Sequence, residues 1–270
     1  MDHKGADTPS IAYKVFTFEE SKKNTQESLS VSIPEVLDPQ YGMYVWPCAV
    51  VLAQYLWTQR EELRGKTVLE VKKCFTLGSE LLFCKSSTFV YAQSCFFFPQ
   101  LGAGVSLPGV VAAKCGAKVI LSDSTKTPLC LENCRRSCEA NSLHDVVVMG
   151  IIWGEISPDL VLLPKLDIIL GSDVFYEPQD FEDVLVTVAF LLRKNPRAQF
   201  WTTYQERSAD WSIEALLYRW KLNCVEVPLE TFDANKSELA GSNLPGRHII
   251  QMIVITLKTE DVGLFGGEAD

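Results

Sequence analysis

The chain reads as α/β: a mostly parallel sheet with helices on both faces, an antiparallel strand at its C-terminal end and a β-hairpin in front of it. Three observations predict this. Apolar runs of strand length alternate with segments of helical period from Thr67 to Trp220. Two of the short strands, Thr67–Glu70 and Lys118–Asp123, end in a carboxylate, as strands that feed a nucleotide site do. The last two apolar runs, Cys224–Val227 and His248–Leu257, are joined by a polar loop with no helix, so they pair as a hairpin and reverse one strand.

Taken in order, Tyr13–Phe18 and Leu29–Ile33 alternate with period two and predict the N-terminal hairpin, and Val45–Leu56 is apolar on a helical period. Thr67–Glu70 is a short buried strand. Gly102–Gly109 opens a helix that runs through Cys115 and stops at Gly116, ahead of the strand Lys118–Asp123. A helix near Thr127–Asn141, strands Val146–Met149 and Asp167–Leu170, a helix near Asp180–Leu192 and the strand Gln199–Thr203 continue the alternation, with Asn195-Pro196 marking a turn. Ala209–Trp220 is a further helix before the closing hairpin.

With 270 residues, 47% of them hydrophobic, the chain can bury a large core in one domain, expected over residues 1–258, with residues 259–270 a disordered tail. Its net charge of −9 disfavours a nucleic-acid groove and suits a basic protein or peptide substrate; a merely soluble acidic surface is the plainer reading. Nine cysteines in irregular spacing form no disulfide framework, and the start Met1–Asp7 lacks the apolar core of a secretory signal, so an intracellular protein with reduced thiols is expected. Cys130, Cys134 and Cys138 fall on one helical face with no histidine near, which favours a buried stripe over a metal site. Leu81–Phe98 is broken by Lys85, three serines and Gln93 and does not read as a membrane span.

The chemistry concentrates at strand ends. Gly102-Ala103-Gly104 is a small glycine turn of the kind that lets backbone approach a nucleotide, and Asp123 stands where a carboxylate can accept ribose hydroxyls or cap the next helix. Trp153-Gly154 offers an indole that can cover an adenine face or fill the core. Leu170-Gly171-Ser172 followed by Asp173-Val174-Phe175-Tyr176-Glu177-Pro178 puts small residues and carboxylates at the carboxyl edge of the sheet.

Together, Tyr41–Pro47, Val68–Glu70, Gly102–Gly109, Trp153-Gly154 and Asp173–Tyr176 resemble the Rossmann-like seven-strand S-adenosylmethionine-dependent methyltransferases of the Asp-x-x-Tyr type. The resemblance covers residues 41–258 apart from 71–100, and Ser208–Tyr218 with Leu244–His248 are similar to a histone-arginine branch of that family. It implies S-adenosylmethionine as cofactor, held by Trp46, Gly102, Ala103, Gly104, Asp123, Trp153 and Ser172 with Glu70 beneath its methionine end; Asp173, Tyr176 and Glu177 would border the acceptor. It further implies a histone-tail or chaperone substrate, a role in transcription regulation, and residence in nucleus and cytoplasm. A guanidinium stays protonated in water, so Asp173 and Glu177 are read as carboxylates that could hold and aim it, or as cofactor and capping residues. A lysine-directed enzyme, a nicotinamide-dependent oxidoreductase and a non-catalytic interaction protein are the competing readings.

One departure stands out. Residues 71–100 separate Glu70 from the glycine turn, and deleting Val71–Gln100 would restore Val68-Leu69-Glu70-Leu101-Gly102-Ala103-Gly104. The segment begins with a GT codon at Val71 and closes on Phe96-Phe97-Phe98-Pro99-Gln100, a pyrimidine-rich stretch able to finish in CAG, so it reads as a retained intron, or else as a lid loop. Its two ends must lie about one peptide apart, ~3.8 Å, beneath the cofactor, and the expectation is impaired binding.

Overall fold

The computed structural model describes residues 10–22, 25–37, 43–72, 105–208 and 212–258. The glycine turn Gly102–Gly104, residues 73–100 of the inserted segment and the tail 259–270 lie outside the described residues.

Two strands, β1 (Ser10–Lys22) and β2 (Thr25–Leu37), pair antiparallel as the predicted hairpin, longer at both ends than the sequence pattern marks. The main sheet contains β3 (Thr67–Glu70), β4 (Lys118–Asp123), β5 (Val147–Gly150), β6 (Ile168–Ser172), β7 (Gln199–Gln205), β8 (Leu222–Glu226) and β9 (Ile250–Leu257). Their order is β5-β4-β3-β6-β7-β9-β8, with β9 antiparallel to both neighbours and the pairs from β5 to β7 parallel. The chain walks outward from β3 to β5 and returns to the other side of β3 at β6, so the carboxyl ends of β3 and β6 flank the switch point where such sheets open a crevice.

The helices are α1 (Pro47–Thr58), α2 (Arg60–Leu63), α3 (Leu107–Lys114), α4 (Pro128–Ala140), α5 (Pro158–Leu162), α6 (Phe181–Lys194) and α7 (Glu214–Arg219). Alternate residues of each central strand enter different cores: Val68 and Leu121 pack with α1, α3 and α4, and Leu69 and Ile120 with α5 and α6. A sheet covered on both faces needs continuous apolar runs, which is why β3, β4 and β6 were legible. Cys130, Cys134 and Cys138 lie on the buried face of α4, as the stripe reading expects.

The hairpin is held to this body. Phe16, Phe18, Val31 and Ile33 are fully buried, and two amides of α4 and its C-cap bind its backbone: Asn133 donates to the Pro34 carbonyl at 3.1 Å, and Asn141 donates to the Ser32 carbonyl at 2.7 Å while accepting from Ser32 N–H at 2.9 Å.

Two expectations need correction. Of the helix predicted over Ala209–Trp220, residues 209–211 lie outside the described residues; the described helix starts at Glu214, where Ser212 Oγ accepts the Glu214 N–H at 3.2 Å and Ile213 occupies the N-cap, and it ends at Arg219. The helix predicted to open at Gly102 begins at Leu107, with Pro108 in the first turn where its missing N–H costs nothing. The sequence pattern missed α2 and α5, both too short to show a period. No described helix is long and apolar enough to cross a membrane.

Candidate active site

Glu70 ends β3 fully buried, and α3 comes down directly on it. Gly109 N–H, in the first turn of α3, donates to Glu70 Oε2 at 3.1 Å, so the carboxylate meets the positive end of the helix. Only glycine permits this approach: a Cβ at residue 109 would lie 2.3 Å from Leu121 Cδ2 and 2.4 Å from Glu70 Oε2. The main chain of Glu70 is tied to β4 as well, its carbonyl accepting from Ser122 Oγ at 2.8 Å.

Lys72, two residues past Glu70, turns back into the sheet. Its ammonium donates to Ser106 Oγ at 2.9 Å and stands 3.4 Å from Glu70 Oε1, with 3% of the side chain exposed. Burial pushes the Glu70 carboxyl above the ordinary carboxylate range, while the Lys72 ammonium and the Gly109 N–H draw it back down.

Asp123 closes β4, beside β3, and is fully buried; its Oδ1 accepts the N–H of the next residue, Ser124, at 2.7 Å. Trp153 follows β5 and is buried, its indole N–H donating to the Lys72 carbonyl at 2.8 Å. The next residue, Gly154, has φ of 77°, and a Cβ there would meet Asp183 Oδ1 at 2.7 Å. Trp46 is the half-buried N-cap of α1, and Ser172 is the last residue of β6.

Asp173 adopts a left-handed backbone, φ 54°, and its N–H donates to the Thr203 carbonyl at 2.7 Å. Both carboxylate oxygens accept from Arg207, at 2.9 Å from Nη1 and 2.6 Å from Nη2. Burial works against the Arg207 cation, but the hydrogen bonds and charge of Asp173 outweigh it and raise the guanidinium above its usual range, with a smaller contribution from Glu177. Cys48 at the start of α1 is fully buried; burial first, then the negative charge of Asp173, push its thiol well up. Thr203 Oγ1 donates to the Cys48 carbonyl at 2.8 Å, so Thr203 of β7 ties the start of α1 to the residue that follows β6. Tyr176 and Glu177 are half-buried after β6, with the Tyr176 hydroxyl turned inward.

The structure thus brings Glu70, Asp123, Trp153, Ser172 and Asp173 to the carboxyl edge of β3–β6, with Tyr176 and Glu177 following. Arg207, Lys72 and Cys48 escaped the sequence reading. Arg207 offers one signal, its place just past the end of a parallel strand; Lys72 falls within the inserted segment and Cys48 within the apolar run Val45–Leu56, where nothing in the sequence sets either apart. Among the described residues no cluster of three or more His, Cys, Asp or Glu is placed to hold a metal ion.

A family model described as Lysine methyltransferase matches residues 24–213. The chain is 56% identical over 256 residues to the histone-arginine methyltransferase METTL23 of Xenopus laevis, across 95% of this chain and 97% of that protein. It is 54% identical over 220 residues to the histone-arginine methyltransferase METTL23 of Homo sapiens, across 82% of this chain and all of that protein. The protein N-lysine methyltransferase METTL21A of Mus musculus is more distant, 31% identical over 159 residues and 56% of each chain.

Proposed function

The chain belongs to the lysine methyltransferase family, and from that premise we propose that it is an S-adenosylmethionine-dependent protein methyltransferase that acts on arginine in histone tails. The arginine reading follows the two METTL23 relatives, which are matched over far more of the chain than the lysine-directed one. Nuclear and cytoplasmic residence and a role in transcription regulation belong to the same proposal.

The observation that carries the cofactor assignment is the placement of Asp123 at the end of β4, next to β3 with its own terminal acid Glu70 and one strand from Trp153. Buried carboxylates on adjacent parallel strands with an aromatic beside them suit a nucleoside with two ribose hydroxyls. Asp123 would take the hydroxyls, Trp153 and Trp46 would border the base and methionine, Ser172 and Gly102–Gly104 would approach by backbone, and Glu70 would stay beneath, holding α3 through Gly109. Bound there, S-adenosylmethionine supplies a methyl group activated on sulfur.

The residues of this chain contribute position and charge. Arginine arrives protonated, so a carboxylate must hold the guanidinium and aim one nitrogen, and dehydration of the pocket sharpens that attraction. Asp173 has both oxygens on Arg207, which leaves Glu177 as the carboxylate for the acceptor and Tyr176 as its neighbour. The test is transfer of labelled methyl to matched histone peptides with arginine or lysine at the acceptor position. Arginine is expected to be preferred, and Glu177→Gln is expected to cut turnover more than cofactor affinity; faster methylation of the lysine peptide would move the assignment to the lysine-directed branch.

A further inference from the structure

Lys72 buries its ammonium between Ser106 and Glu70, at the carboxyl end of the central strand. β3 ends at Glu70, and Val71 extends the ladder by donating to the Leu170 carbonyl of β6 at 2.9 Å, which puts Lys72 at the switch point between β3 and β6. From there its ammonium reaches Ser106 and Glu70, and its carbonyl accepts from Trp153. A buried ammonium persists only where an opposite charge and hydrogen bonds offset its lost hydration. Glu70 supplies the charge through Oε1, its other oxygen being taken by Gly109.

We infer that Lys72 is a tethered competitor of the cofactor, its ammonium holding against Glu70 the position of the cation carried by the ligand's methionine end, so that this side chain sets cofactor affinity. The inference rests on the cofactor site proposed above. Two cations cannot share one carboxylate in a dehydrated crevice without strong repulsion, so binding must expel Lys72 from its place. The penalty therefore grows with ligand charge. Adenosine, without a methionine end, escapes it; S-adenosylhomocysteine, with an ammonium, meets it; S-adenosylmethionine, with an ammonium and a sulfonium, meets it most.

Calorimetry on the full chain and on Lys72→Gln, whose amide can still donate to Ser106 and Glu70, decides the matter. Adenosine is expected to bind both equally, S-adenosylhomocysteine to bind the variant about tenfold more tightly, and S-adenosylmethionine to gain more than that. Adenosine binding without any gain for the charged ligands would overturn the role of Lys72 and leave the site standing. Failure of adenosine and of both charged ligands to bind either chain would overturn the cofactor site and this inference with it. Should the variant not fold, amine acylation of the unaltered chain with mass-spectrometric readout takes its place: Lys72 should be protected alone and become reactive in excess S-adenosylmethionine, and unchanged protection would overturn the inference.

Discussion

Asp173 grips Arg207 through both carboxylate oxygens, so a guanidinium of the chain itself sits on the first acid of the Asp-x-x-Tyr motif. The pair spans the ends of β6 and β7, with side-chain exposures of 11% and 18%, so water screens it little. Asp173 itself is left-handed, φ 54°, a conformation that Asp adopts more readily than most residues with a Cβ.

Arg207→Met is expected to cost about 2–4 kcal/mol of stability, because it strands a largely buried carboxylate. Arg207→Lys should recover part of this, keeping the charge but losing the fork. Urea denaturation measures both; a loss near zero for the methionine variant would mean that the pair exchanges freely with solvent.

Gly109→Ala should destabilise the fold by roughly 1–3 kcal/mol, as a small-to-large change that forces the buried side chains of Leu121 and Glu70 to shift. The same variant should loosen α3 from β3, visible as faster amide exchange in Val110 and Val111. An unchanged melting temperature would show that the helix can slide outward without cost.

Asp123→Ala is expected to weaken cofactor binding by roughly 1.5–3 kcal/mol, the worth of a hydrogen bond to a charged acceptor. Affinity equal to that of the unaltered chain would remove Asp123 from the site. Trp153→Phe keeps a buried ring but loses the bond to the Lys72 carbonyl and part of the indole's packing, so it should cost about 1–3 kcal/mol of stability.

Alkaline pH should weaken the fold through Cys134. Burial raises this thiol from 9.0 in its ordinary state to about 11 in the folded chain. The unfolded chain therefore loses its proton first, and the stabilising contribution is complete below pH 9 and disappears as pH rises toward 11. The difference amounts to roughly 2–3 kcal/mol. Cys134→Ala should flatten that part of the profile in denaturation curves between pH 8 and 11; an identical slope would assign the effect elsewhere.

Thr67–Glu70 and Lys118–Asp123 were legible residue for residue, because a strand buried on both faces must be written as an unbroken apolar run between polar ends. The cysteine face of α4 was legible for the parallel reason that helical period is a property of neighbouring residues. The start of α7 was not, since Ser212 stops the helix with a local hydrogen bond that a propensity pattern does not register. The acids Glu70, Asp123 and Asp173 could be named from the chain, but their partners could not. Arg207 meets Asp173 only because β7 lies beside β6, and Ser106 meets Lys72 only because α3 descends on the end of β3. The chain by itself determined which strands are buried and which carboxylates end them, because those follow from local burial and spacing. The tertiary structure alone decided that Asp173 holds Arg207 and that Glu70 meets the Gly109 N–H, because those contacts are made only when packing strips water from groups far apart in sequence and leaves them to pair with whatever lies within reach.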